Sequence, residues 1–152
     1  MNYETARFGS LEIKDDEIIN FPDGLYGFDK EKEFVLLPLD PQIESPMEWL
    51  QSLRTPELAF VVTDPFLFVP QYKMVLSDDE KDQLKIKSAE SVMIRVIVTI
   101  PKVHADMTAN LVAPLVINQE NRLARQIVLT TAEYDTRHCL LPKGDPEPQQ
   151  KV

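Results

Sequence analysis

Short runs of Val, Ile, Leu and Phe, punctuated by turn-forming residues, dominate the chain. Apolar runs of this length read as strands. Proline fixes φ and donates no hydrogen bond, so the twelve prolines keep the elements short. The first run spans residues 5–13 on Phe8, Leu11 and Ile13, and Gly9-Ser10 is its expected hairpin turn. A second strand starts at 18–21. Pro22-Asp23-Gly24 then turns the chain, and Gly27-Phe28 turns it again. Residues 34–39 are apolar on both faces, which predicts a central or covered strand. Further strands are expected at 58–63, 93–100, 107–112, 115–118 and 122–129, with a turn at 119–121. Residues 66–69 are continuously apolar, and 72–76 alternate roughly.

Two helices are predicted. In residues 46–53, Met47, Leu50 and Leu53 make an apolar stripe beside Trp49. Ser45 suits the cap, Pro46 the first turn and Glu48 a capping box. The second is a short acidic helix from Ser77 to about Leu84, with Ser77 and Glu80 as a capping box. Asp78 and Asp79 complement its N-terminal dipole. About nine short strands and two short helices fit a mainly β, antiparallel, barrel-like domain. A doubly wound α/β fold needs longer helices between strands. The domain is expected over residues 1–142, and the polar, Pro-rich stretch 143–152 reads as a flexible tail.

Composition narrows the function. The chain's 152 residues make one domain, with 25 acidic against 16 basic residues and a net charge of -9. Residues 1–76 hold 14 acids and 6 bases, so most of the excess lies there. A general nucleic-acid binder needs a basic footprint, and an anionic membrane would repel the first half. A basic protein partner suits that field, and solubility alone explains it equally well. The N-terminus shows no secretory pattern, and no apolar run approaches the ~18 residues of a membrane helix, so a cytoplasmic location is expected.

Chemistry is sparse. Cys139 stands alone, so no internal disulfide is possible. His138 and Cys139 are adjacent, and on a strand adjacent side chains point to opposite faces. His104-x-Asp106 offers two ligands where zinc needs three or four. No phosphate loop or dinucleotide fingerprint is present, and the acids sit in runs that read as solvated faces. Neither catalysis nor a cofactor is expected, and a binding domain remains. Its candidate segments are 21–28, 64–70 and 110–118. At the last, Asn110 and Asn118 flank Ala113-Pro114, and Pro114 either belongs to a structural turn or marks an open sheet edge.

The same segments carry a resemblance. Phe21-Pro22-Asp23-Gly24-Leu25-Tyr26-Gly27-Phe28 resembles the N-terminal hallmark of the bacterial flagellar assembly factor FliW family. Residues 58–66, 108–118 and 122–129 are similar to three further signatures, in the same order, with Tyr134 and Arg137 following. Tyr26 stands where members often have Pro. The resemblance covers residues 3–141. It implies a non-enzymatic partner switch: FliW-like proteins bind the dimeric, RNA-binding repressor CsrA, lift it from flagellin mRNA, and are themselves sequestered by flagellin. It implies a monomer when free and two copies per CsrA dimer, without direct contact to nucleic acid or membrane. A chaperone that mainly shields flagellin before export is the alternative. Phe21, Pro22, Gly24, Gly27 and Phe28 are then expected to shape a corner of the fold. Asp64, Phe66 and Phe68 are expected on the apolar side of a partner surface. Asn110, Pro114 and Asn118 are expected to order a loop presenting a partner strand. Glu12, Asp15, Asp16 and Glu17 are expected to steer a basic partner.

Overall fold

The computed structural model describes residues 2–40, 42–103, 106–130 and 133–140. His104 and the expected 143–152 tail lie outside them. The chain opens with a hairpin, β1 (Asn2–Thr5) and β2 (Gly9–Glu12), which forms a separate two-stranded sheet. Its turn falls at residues 6–8, one step before the expected position. Thr5 Oγ1 closes it by accepting from the Phe8 N–H and donating to the Gly9 carbonyl.

A nine-stranded sheet follows. Its strands are β3 (Ile19–Asn20), β4 (Glu33–Asp40), β5 (Ile43–Ser52), β6 (Ala59–Thr63), β7 (Val92–Thr99), β8 (Thr108–Ala109), β9 (Leu115–Asn118), β10 (Leu123–Gln126) and β11 (His138–Cys139). They lie in the order β11-β8-β7-β6-β5-β4-β3-β10-β9. All neighbours are antiparallel except β3 and β10, which run parallel where Asn20 meets Leu123. β7 changes partner along its length: Val96 to Val98 pair with β6, and Val92 to Arg95 pair with β9. The helix α1 (Asp78–Gln83) sits between β6 and β7.

This corrects the expected antiparallel barrel with two short helices. The strands form one mixed sheet rather than an antiparallel set, and α1 is the one α-helix among the described residues. The segment expected as helix 46–53 is strand β5. The physical reason is that both faces of β5 are covered. Leu50 pairs with Leu36 and Phe60 on one face, while Trp49 pairs with Leu37 and Val61 on the other. The three-residue spacing of Met47, Leu50 and Leu53 thus samples two sheet faces and only imitates a helical stripe.

Ile19, Phe21, Phe34, Leu50, Val62, Leu115 and Ile117 form the main core on the first face. The opposite face is covered at one end by Ile13, Ile18 and Leu53 beneath the β1–β2 hairpin. At its other end lie Met47, Tyr72, Val96, Leu111 and Leu140. The Arg7 guanidinium lies 4.2 Å over the Trp49 ring, tying the hairpin to the sheet by a cation–π contact.

Helix α1 is short, so local chemistry must hold it. Ser77 Oγ accepts from the Glu80 N–H, and the Glu80 carboxylate accepts from the Ser77 N–H. That is the capping box expected from the sequence.

Candidate functional site

The acidic segment rises from the end of β2. Ile13 and Ile18 are buried on either side of a 3-10 turn, Asp15–Glu17, and their burial forces the acids outward. Glu12, Asp15, Asp16 and Glu17 are all exposed. The Glu17 carboxylate accepts from the Lys14 N–H at 2.9 Å, so it also stiffens its own turn.

The corner at 21–28 packs inward from a buried Phe21, whose ring meets Phe34 edge-on at 5.5 Å. The Gly24 N–H donates to the Phe21 carbonyl across Pro22 and Asp23. Gly24 has φ +69°, and a Cβ there would lie 2.6 Å from the Asp29 backbone, so both conformation and space demand glycine. Leu25 and Phe28 exchange two backbone hydrogen bonds around Tyr26-Gly27. Phe28 then reaches back to Phe60, ring to ring at 5.3 Å.

Asp64 caps the 3-10 turn Pro65–Leu67 by accepting from the Phe66 N–H at 2.9 Å. The turn throws Phe66 and Leu67 outward, 41% and 60% exposed, while Phe68 packs half-buried against the core. Beside Phe66 runs a groove of about 580 Å³ lined by Met74, Val75, Leu76, Ile86 and Val92. Tyr72 is buried behind Phe66, with its hydroxyl donating to the Leu111 carbonyl at 2.7 Å and its ring 5.8 Å from that of Phe66. Burial, with Tyr134 close by, pushes the Tyr72 hydroxyl well above the usual tyrosine range.

Residues 2–140 match the FliW protein family profile. The chain is a member of the FliW family. It is 42% identical over 143 residues to the flagellar assembly factor FliW of Geobacillus kaustophilus (strain HTA426), covering 94% of this chain and 97% of that protein. Identity to the FliW of Desulfitobacterium hafniense (strain DSM 10664 / DCB-2) is 40% over 151 residues, covering 97% and 98%. A crystal structure of the flagellar assembly factor FliW superposes with a TM-score of 0.87 at 41% identity, covering 95% of this chain and 99% of that one. Among the described residues no group of three or more His, Cys, Asp or Glu could hold a metal ion, and no helix is long and apolar enough to cross a membrane.

Within this FliW chain, the third set of expected partner residues is wired into the interior. Asn110 Oδ1 accepts from the Val112 and Ala113 N–H groups, both at 3.1 Å. Pro114 is buried, and its carbonyl accepts from the Ile127 N–H. Asn118 is buried, and its Nδ2 donates to the carbonyls of Leu84 and Lys85 just past α1. Lys85 adopts φ 56° there, so Asn118 secures a left-handed helix exit. Asp15, Asp16 and Glu17 therefore share one exposed turn, with Glu12 exposed at the end of β2 before it. Phe66 shares a groove with residues not singled out in the sequence, and the asparagines share neither surface. Val75 and Ile86 line that groove without having been singled out in the sequence. The weak alternation at 72–76 was the signal for Val75, since it places Val75 opposite the half-buried Met74 and Leu76.

Proposed function

We propose that this chain is a cytoplasmic flagellar assembly factor that binds and antagonises the translational regulator CsrA. In this reading it relieves repression of flagellin mRNA and is itself sequestered by cytoplasmic flagellin. FliW membership across residues 2–140 carries the reading. The exposed turn holding Asp15, Asp16 and Glu17 supports it physically, because an RNA-binding regulator carries basic surface and opposite fields speed encounter. The free chain acts as a monomer and binds as two copies per CsrA dimer.

Titration calorimetry against purified CsrA, repeated with flagellin already bound, tests the switch. Tight binding that flagellin abolishes is the expected result. Binding to flagellin with none to CsrA would remove the translational half. Replacing Asp15, Asp16 and Glu17 by Ser is expected to slow CsrA association at low salt, and an unchanged on-rate would sink the steering role. The export-chaperone reading is favoured by one observation, the exposed Phe66 and Leu67 beside an apolar groove.

A further inference from the structure

Residues 73–76 link the turn after β6 to α1 without belonging to any strand, and their burial alternates from residue to residue. The Lys73 N–H donates to the Tyr134 hydroxyl. Beyond it, no hydrogen bond within the described residues engages the backbone of Met74, Val75 or Leu76. Met74 and Leu76 anchor the segment by packing on Leu84, Val116 and Ile127. Val75 between them is 87% exposed. The segment thus alternates inward and outward side chains as a strand does, with the hydrogen-bonding groups of residues 74–76 unspent among the described residues.

On its Phe66 side the space is mostly apolar with charge opposite to that of the molecule, whereas on the other side Met74 and Val75 border Lys73, Glu80 and Glu133. The groove that Met74, Val75 and Leu76 share with Phe66 and Ile86 has Lys81 and Lys87 as its charged lining residues. Among the described residues no acid lines it, in a chain of net charge -9. An occupant must therefore offer apolar side chains, carboxylates and main-chain donors and acceptors. A helix spends its backbone groups internally, whereas an extended segment presents them at two-residue intervals. We propose that this groove accepts an extended segment of a partner protein, apolar at alternate positions and flanked by carboxylates, as an added strand against residues 74–76. Main-chain pairing would give affinity, and the lysines would select acidic flanks.

The test uses the full chain and a synthetic peptide with Val and Ile at alternate positions and two Glu at each end. Fluorescence anisotropy is expected to show saturable binding, at least tenfold weaker for the same peptide with Lys flanks or with alternate backbone nitrogens methylated. The double variant Lys81→Glu, Lys87→Glu should lose at least tenfold for the Glu-flanked peptide. Hydrogen exchange at the amides of Met74, Val75 and Leu76 should slow at least tenfold on binding. Val75→Pro removes a donor that no intramolecular bond uses, so it should keep the fold and weaken the peptide. Equal binding of the methylated peptide would overturn the proposal. So would unchanged exchange at residues 74–76, no saturable binding, or a concentration-dependent dimer of the free chain that buries Val75.

Discussion

The corner at residues 21–28 and the segment at 73–76 both push apolar side chains into solvent, Phe28 among them in the corner. Tyr26 is 65% exposed in the first and Val75 still more so in the second. Their backbones differ. In the corner, the N–H groups of Phe21, Gly24, Leu25 and Phe28 all donate to main-chain carbonyls, and the Tyr26 N–H donates to Gln126 Oε1. In the segment, three consecutive residues donate to nothing among the described residues. Exposure alone would have ranked the two together. Accounting for main-chain partners separates a finished turn from a segment whose main-chain groups are unused among the described residues.

The sharpest way to break this contrast is to hollow the corner. Phe21→Ala should cost about 3–5 kcal/mol in urea unfolding, since a fully buried ring leaves a cavity; a cost near zero would mean the corner is not load-carrying. Gly24→Ala should cost about 2–4 kcal/mol, combining a left-handed backbone with overlap on Asp29. Gly27→Ala is its control: φ is 84° but nothing lies within 4 Å of the added Cβ, so only about 1–2 kcal/mol is expected.

Next in size is Tyr72, near the segment. Tyr72→Phe leaves the buried Leu111 carbonyl without its donor and should cost about 1–2 kcal/mol. Its folded hydroxyl titrates above the unfolded one, so its contribution is fully present below the ordinary tyrosine value of about 10 and is lost as pH rises beyond it. The stability lost above that pH, followed by circular dichroism, should be shallower in Tyr72→Phe. The smallest effect belongs to Val75→Thr, expected within about 0.5 kcal/mol of the parent because the side chain is exposed. A larger loss would show that Val75 packs in solution and would blur the contrast.

The sequence made the strands legible where apolar runs were bounded by Pro or Gly, as at β4, β6 and β7. It also revealed α1, because Ser77 and Glu80 act within one turn. It misled at β5, where coverage of both sheet faces gave Met47, Leu50 and Leu53 a helical spacing. The acidic turn was legible as a charge run next to Ile13 and Ile18. The groove was not, because it joins Phe66, Met74, Ile86 and Val92, whose proximity arises only when β7 and β9 pair. Asn118 holding the exit of α1 from 34 residues away was illegible for the same reason.

The parallel meeting of β3 and β10 also bears on when the domain can form. Asn20 donates its N–H to the Arg122 carbonyl, and Tyr26 donates to Gln126. The first strand of the large sheet therefore waits for roughly a hundred more residues before its far edge closes. At synthesis rates of about 5–20 residues per second, that interval is on the order of 5–20 s. Such distant pairing also slows folding after release, because a long loop must close before its contacts form. Each newborn copy thus passes through a window in which the strand beside Phe21 has no second neighbour and depends on the ribosome to deliver it.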